Sequence, residues 1–499
     1  MAKGVSRRDV MQTAVAGAAM ASLAGCASSQ KKQAAASAAP AKGAFGANGK
    51  IRVAVAGIHG QGHGHISTLA SMDNVEVVYL ADPDSSLFDS RRKTAEEKSG
   101  GRSKPKCVQD VRRVLEDDSV DAISIATPNH WHSLMTVWAC QAGKHVYVEK
   151  PMSHNIHEGR AVVDAARKYN RLVQHGTQSR SDAKWAKIAA VVASGKLGKL
   201  LISRGLCYKA GSGGSTRGDI GFKPVVPPPA SLDWNIWQGP AKNIDYHENL
   251  VHYRWHWFYE TGNGDLGNQG VHQMDVARWV IPGATLPKSC VSFGGRLGHY
   301  DQGNAASTEI AIMDYGDTQL IFETRGLPSK DFHGVSIGNI LHLEGGMIVN
   351  HTFYPTGSKD PAPLPEVEYT HGPGTDRGHH GNWIAALRSG KRSDLNAEAI
   401  EGHYSSALCH LANISYQLGN KIPFSPKTTA FDNNDAAYET LDRTTEYLKG
   451  NGIDVDNSGY TLGRKLIVDA ANEKFVNDAE ANAMLTRDYR KGFEVPSKV

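Results

Sequence analysis

From residue 51 the chain alternates short β-branched runs with amphipathic stretches. IRVAVAG (51–57) leads into a glycine-studded turn with a helical period behind it, IHGQGHGHISTLASM (58–72), and then into a second apolar run, VEVVYLADPD (75–84). Strand, turn, helix and strand in that order predict one βαβ unit. The alternation continues through VDAISIATPNHWHSLM (120–135) and KHVYVEKPMS (144–153), two strands ending in polar loops with an amphipathic helix between them. Beyond residue 285 the period shortens to two, and CVSFGG, STEIAIMDY, TQLIFET, NILHLEG and GMIVNH read as strands of an open, largely antiparallel sheet. After about residue 425 the sequence turns polar and helical in character.

The first fifty residues follow neither period. Residues 5–26, VSRRDVMQTAVAGAAMASLAGC, place Arg7 and Arg8 before a mildly apolar stretch too short to cross a bilayer, the form of a twin-arginine export signal. The stretch ends in Leu23-Ala24-Gly25-Cys26, similar to a bacterial lipobox, so Cys26 is expected to receive lipid and become the mature N-terminus. Residues 27–49 are mostly Ala, Ser, Gly and Lys with one Phe and cannot bury enough apolar surface to fold. They read as a tether spanning roughly 25–30 Å. The expected location is therefore the periplasm, with the protein held at the membrane by a lipid anchor alone.

Composition narrows the class. Of 499 residues 40% are hydrophobic and 21% charged, a globular profile with room for two or three folding units. The formal net charge is only +4, which speaks against a sequence-independent nucleic-acid binder. The six cysteines form no CxxC pair, so neither a disulfide scaffold nor a zinc site is written here.

The chemistry concentrates at strand ends. The first turn carries Gly57, Gly60 and Gly62, and the next strand ends at Asp82. Backbone N–H groups and the helix dipole at such a turn suit a pyrophosphate, and a carboxylate at the end of the second strand accepts the ribose hydroxyls of an adenosine. Asp82 repels a 2′-phosphate, and Pro83 and Asp84 follow in place of an arginine, so NAD is expected over NADP. The predicted fold class is thus α/β, an N-terminal Rossmann dinucleotide-binding domain plus an α/β domain with an open, largely antiparallel sheet. Ligands of parallel sheets lie beyond the carboxyl ends of strands, which brings Thr127, Pro128, Asn129 and His132 into one crevice with Glu149 and Lys150. No metal site is expected, because His59, His63, His65, His130 and His132 lack a carboxylate or third ligand at a spacing that closes one.

The order of glycine turn, acidic strand end, ATPNHWH (126–132) and VYVEKPMS (146–153) resembles the glucose-fructose oxidoreductase, inositol dehydrogenase and MocA superfamily. Its members oxidise or reduce sugars, polyols and glycosides with NAD(P). The resemblance covers roughly residues 50–420, since HHGNWIAALRSGK (379–391) and EAIEGHYSSALCHLANISYQLG (398–419) look like the closing helices of bacterial members. The family turn reads GxGxxGxxH. Gly57, Gly62 and His65 match it, while His59 replaces the second glycine and carries a Cβ toward the expected pyrophosphate, with Gly60 free to let the turn shift. The resemblance implies that Lys150 of the EKP triplet is the catalytic lysine, hydrogen-bonded to the reacting hydroxyl. It also implies that His272 is the general base, because residues 264–272 are similar to the family signature GALGDLGSH. Asn268 stands where that signature has Asp, so a neutral amide is expected to orient His272, and Asp275 one turn later to compensate in part. Arg180 in GTQSR resembles a family substrate-loop arginine. Sheets of this family often mediate dimer contact, so a homo-oligomer is implied.

Five of the nine tryptophans, at 234, 237, 255, 257 and 279, crowd the region around His272. Aromatic plates beside hydrogen-bonding groups suit a sugar, and Tyr253, His256 and Tyr259 are the pocket candidates among them. The expected organisation is a signal (1–25), a tether (26–49), a Rossmann NAD-binding domain (50–175), a substrate-binding and oligomerisation domain (176–424) and a helical C-terminal extension (425–499). Outside the cytoplasm free NAD is scarce, so the cofactor is expected to stay bound and to be regenerated in place. Three functions are compatible: an oxidoreductase of a sugar or glycoside hydroxyl, a redox-neutral NAD-dependent glycosidase, and a non-catalytic carbohydrate-binding lipoprotein.

Overall fold

The computed structural model describes Phe45, residues 49–210 and residues 217–499. The expected signal, Cys26 and all of the expected tether but Phe45 and Gly49 lie outside the described residues. No helix among the described residues is long and apolar enough to cross a membrane.

Six strands, β1 (Ile51–Ala56), β2 (Val75–Ala81), β3 (Lys106–Val108), β4 (Ala122–Ile125), β5 (His145–Val148) and β6 (Val173–His175), form a sheet in the order β3-β2-β1-β4-β5-β6. Every pair is parallel. This is the order of a doubly wound dinucleotide fold, whose ligand crevice lies where the strand order reverses, between β1 and β4. A parallel sheet needs cover on both faces, which explains why these strands read as almost unbroken apolar runs. One face packs Ile51, Val53, Val55 and Val77 against Trp383, Ile384 and Leu387 of the helix Gly378–Ser389. The other packs Ile123, Ile125, Val146 and Val148 against Leu134 and Val162, and also against Phe493 and Val495 near the chain end. The first domain is therefore not built from residues 50–175 alone, because later segments close both of its faces.

The second sheet has eleven strands. Its main path begins with β7 (Leu200–Tyr208), β8 (Ser289–Gly295), β9 (Thr308–Asp314), β10 (Gln319–Arg325), β11 (Ile337–Leu343), β12 (Gly346–Val349) and β13 (Thr352–Pro355). It is extended by β14 (Asn420–Pro423), β15 (Gly459–Leu462), β16 (Leu466–Asp469) and β17 (Lys474–Phe475). Pairing is antiparallel except for β7 with β10. Its inner face shares a core with the helices Ala183–Ala193, Val271–Trp279 and Ala399–Gln417.

Two expectations change here. Residues 425–499 are not simply helical: β15, β16 and β17 lie in this stretch, and β15 and β16 pair with β8. These strands are only two to four residues long, too short to stand out against polar flanks. The longer helix of this stretch, Asp435–Gly450, buries Ala437, Thr440, Leu441, Thr444, Tyr447 and Leu448, an i, i+3, i+4, i+7 stripe. Ala437 and Leu441 lie on Val291, Phe293, Ile310, Ile312 and Ile321, so over β8, β9 and β10 the outer face expected to meet a second subunit is covered by the chain's own helix. Arg443 of this helix pairs with buried Glu323 at 2.7 Å.

Burial lowers the pKa of His130 and His410 to about 3 and of His256 and His379 to about 4, each from an ordinary 6.5. The folded state keeps these rings neutral while the unfolded chain protonates them below 6.5, so the unfolded state binds more protons there and stability falls on acidification. The unfolding free energy is expected to be level above pH 6.5 and to drop below it, by at most about 1.4 kcal/mol per pH unit for each ring. Urea titrations at pH 7.5, 6.5 and 5.5 check this, and equal stability across the three would refute it.

Candidate active site

Beyond the carboxyl ends of β1, β2, β4 and β5 lies one cavity of about 690 Å³. Its lining contains Gly57, His59, Gly60, Asp82, Thr127, Pro128, Asn129, His132, Glu149 and Lys150 from the first domain and Tyr253, Asn268 and His272 from the second. Thirteen expected site residues thus meet in one place. Gly62 lies just beneath, where a Cβ would stand 1.7 Å from the Gly57 carbonyl oxygen.

The glycine turn is shaped by contact. Gly57 has φ +75°, and a Cβ there would meet the Ala126 carbonyl at 2.6 Å. Gly60 is different, since nothing lies within 4 Å of its would-be Cβ. His59 needs no glycine: its φ is −75°, and its exposed ring turns aside to stack on His252 with centroids 4.4 Å apart. The substitution in the family turn is thereby accommodated without a strained backbone. Asp82 accepts from the Ile58 N–H at 2.8 Å and the Asp84 N–H at 3.0 Å, which pins the end of β2 to the turn. Burial nonetheless holds its carboxyl above the ordinary range.

These residues fit a dinucleotide. The helix Gly60–Ser71 has no acidic residue in its first turn and presents its N-terminus to the cavity. Thr127 Oγ1, on the cavity wall, is buried with no hydrogen-bond partner among the described residues. His132 lies between the carbonyls of Thr127 and Pro151 at 2.7 and 2.6 Å, fixing the loop after β4 to the loop after β5. Asn129 donates to Asn263 at 2.9 Å and ties that loop to the second domain.

Glu149 is buried at the cavity floor. His65 donates to it at 3.2 Å, Gln178 at 3.3 Å, Gln61 at 3.4 Å and the Lys150 backbone N–H at 3.2 Å. Burial alone would raise its pKa, but the His65 bond and the nearby Lys150 charge outweigh it and hold the carboxyl well below the usual range. Lys150 Nζ donates to the Asn268 carbonyl oxygen at 2.7 Å. Asn268 sits in a π-type turn, Leu266–Gly270, that opens the helix Val271–Trp279 carrying His272. Such wide turns recur at functional sites. Burial, with Lys150 adding to it, pushes the pKa of half-buried His272 down to about 3, so the ring is neutral at neutral pH.

Several expected roles are corrected. The Asn268 amide does not orient His272; it donates to the Tyr253 hydroxyl at 3.1 Å. Arg180 is not at the substrate: it is buried, bonded to both Asp275 oxygens at 2.9 Å, and stacked over Trp279. Asp275 cannot assist His272, because its carboxylate is spent on Arg180 and on Ser405 at 2.6 Å. Neither residue lines the cavity. His256 and Tyr259 are likewise off its wall; His256 is buried with Nδ1 on the Tyr253 carbonyl at 2.7 Å, and Tyr259 packs by Trp257 and Ala305. A tight turn at Arg254–Trp257 sends Tyr253 outward and the rings after it inward. Tyr253 is 52% exposed and does line the cavity. Its phenol lies below its ordinary pKa, since the Asn268 and Arg217 contacts outweigh burial.

The site also holds residues that were not singled out. His65, which matches the family turn, is the main partner of Glu149. Gln61, Gln178, His252, Trp255 and Gln269 line the cavity without any local sequence signal beyond the aromatic run at 252–260.

The comparisons with known proteins agree with this geometry. Residues 51–177 match the model of the oxidoreductase family with an NAD-binding Rossmann fold, and residues 183–319 match that of its C-terminal alpha/beta domain. The two matches together span more than half of the chain, which belongs to the glucose-fructose oxidoreductase, inositol dehydrogenase and MocA family. Among relatives, scyllo-inositol 2-dehydrogenase (NAD(+)) of Bacillus subtilis (strain 168) is 27% identical over 33% of this chain and 46% of its own length. Glycosyl hydrolase family 109 protein 2 of Shewanella sp. (strain ANA-3) is 29% identical over 33% of this chain and 37% of its own. The chain thus spans less than half the length of these two relatives. The fold is shared with the WlbA dehydrogenase from Bordetella pertussis, solved in complex with NADH and UDP-GlcNAcA, at a TM-score of 0.51 and 19% identity over 72% of this chain and 95% of that one.

The two arginine and tyrosine placements separate experimentally. Arg180→Ala leaves Asp275 buried and unpaired and is expected to lower the unfolding free energy by about 3–5 kcal/mol. Tyr253→Phe removes one partly exposed hydrogen bond, for about 0.5–1.5 kcal/mol. Urea unfolding measures both, and wild-type stability in Arg180→Ala would return that residue to the substrate side.

Proposed function

We propose that the protein is an oxidoreductase acting on a sugar or glycoside hydroxyl with tightly bound NAD. We further propose that it is exported by the twin-arginine route and anchored at the periplasmic face of a membrane by lipid on Cys26. The observation that carries the catalytic reading is the shared cavity, with the glycine turn and Asp82 beyond β1 and β2, Lys150 beyond β5, and neutral His272 on the same wall from the helix Val271–Trp279.

The turn at Gly57–Gly60, Asp82, Thr127 and Asn129 would hold the dinucleotide. NAD bound there would supply the hydride acceptor for the carbinol carbon. Lys150, its ammonium fixed by the Asn268 carbonyl, keeps two N–H bonds for the substrate oxygen and stabilises the charge that develops there. His272 takes the hydroxyl proton. Tyr253, held by Asn268, hydrogen-bonds a neighbouring hydroxyl, and the Trp237 and Trp255 rings on the wall offer apolar faces to sugar C–H groups. Export supports a captive cofactor, because each oxidation must then be matched by a reduction in the same site. The likeness to a family 109 glycosyl hydrolase supports a second reading, in which the same base and lysine serve a cycle with no net redox change.

Denaturing the purified protein is expected to release NAD, and a suitable glycoside to change the nicotinamide absorbance of the loaded enzyme. Lys150→Ala should slow that change about a hundred- to ten-thousand-fold. A ketosugar or lactone product supports the oxidoreductase, a free sugar without net redox change supports the glycosidase, and an unchanged spectrum across a broad glycoside panel leaves the carbohydrate binder. Because the His272 pKa lies at about 3, kcat/KM is expected to stay level from pH 7 down to about 5. An acid limb near 6.5, the ordinary imidazole value, would show instead that the ring titrates without this depression in the working enzyme.

A further inference from the structure

Between β7 and the helix Val271–Trp279 runs a segment that belongs by sequence to the second domain but crosses the first. At its near end the Ser231 carbonyl accepts from the Ser85 N–H at 2.9 Å and from Gln109 Nε2 at 3.0 Å. Gln109 also donates to the Pro83 carbonyl at 2.7 Å, and the Asp233 N–H donates to that same carbonyl at 2.9 Å. Leu232 bridges to Asp84. In the middle, Trp131 Nε1 donates to the Ile236 and Trp237 carbonyls, each at 3.0 Å, and Arg490 near the chain end donates to the Asn235 carbonyl at 2.9 Å. At the far end His252 places Nε2 3.1 Å from Asp84 Oδ2 and lays its ring on His59, with planes 5° apart.

The segment is no loose loop. Leu232, Trp237, Tyr246, Leu250 and Trp255 form a small core of their own, and Trp234 stacks on Trp237 at 4.7 Å. It grips residues 82–85, the end of β2 where Asp82 stands, from both sides. Ile236, Trp237 and His252 line the cavity together with the glycine turn. Burial, His252 and Arg91 hold the His59 ring below its ordinary pKa, so at neutral pH no charge on His59 repels its partner.

We propose that residues 231–252 are a strap that retains the dinucleotide in its groove, with His252 stacked on His59 as the latch. The proposal rests on the NAD reading above and adds what that reading lacks, a structural reason for the cofactor not to exchange. Opening the groove requires parting the two imidazoles and the Asp84 contact, and the backbone bonds at 231–233 keep the strap anchored while they part. His59, where the family turn has glycine, thus acts as half of the latch. His252 is a cofactor-retaining residue and takes no part in proton transfer.

The test is the exchange rate of bound nucleotide, a readout independent of turnover. The full-length protein is loaded with isotopically labelled NAD, challenged with excess unlabelled NAD, desalted at intervals and assayed for retained label by mass spectrometry. His252→Ala is expected to shorten retention at least about tenfold. His252→Phe keeps a ring over His59 and is expected to stay within about threefold of the wild type. Gln109→Leu, which removes the bond to the Ser231 carbonyl at the opposite end of the strap together with the bond to Pro83, should also speed exchange and serves where His252→Ala does not fold. Uptake of NAD with equal exchange rates in the wild type, His252→Ala and Gln109→Leu overturns the strap and leaves the function standing. A protein that neither carries nor takes up NAD overturns both.

Discussion

The site depends on keeping one carboxylate ionised out of water. Glu149 sits at the floor of the crevice, and a buried charge persists only when it is paired and hydrogen-bonded. Its partners come from three places: His65 and Gln61 from the first helix, Gln178 from the segment after β6, and the Lys150 N–H from the loop it begins. Satisfying Glu149 therefore fixes the glycine helix, the end of β5 and the start of the second domain against one another. Lys150 carries the constraint further, because its ammonium reaches the Asn268 carbonyl and so locates the turn that starts the His272 helix. His272, Lys150 and the glycine turn are held in register by a single desolvated anion.

The second domain shows the same logic in ion pairs that never touch the crevice. Arg180 and Asp275 lie behind the His272 helix rather than in front of it. Arg278 of that helix pairs with Glu401, and the Arg180 guanidinium lies 3.1 Å from the same carboxylate. Removing one partner of such a pair strands the other in low dielectric. These residues support the back of the helix that carries His272.

Sequence periodicity was a sound guide wherever it was long. The strands at 51–56, 75–81, 122–125 and 145–148 and the alternating runs after 285 are present as read, and their loops carry the expected nucleotide residues. Family likeness located Lys150 and His272, which no local pattern distinguishes from an ordinary lysine and histidine. The failures were of two kinds. Arg180, Asp275, His256 and Tyr259 are polar residues close in sequence or resemblance to the site, and polarity does not reveal whether a side chain turns toward a crevice or into a buried pair. His252 and the short strands β15 and β16 depend on partners more than fifty residues away, and contacts of that range leave no periodic trace. Asn268 belongs between these, since its position was right and its partner was not.

The helix Asp435–Gly450 has a consequence for how the protein works when sparse. In an oligomer an apolar sheet face is shielded only while subunits find one another, so the shielding weakens on dilution. Here the shield over β8, β9 and β10 is part of the same polypeptide and remains in place at any dilution. A solitary molecule keeps that stretch dry by itself.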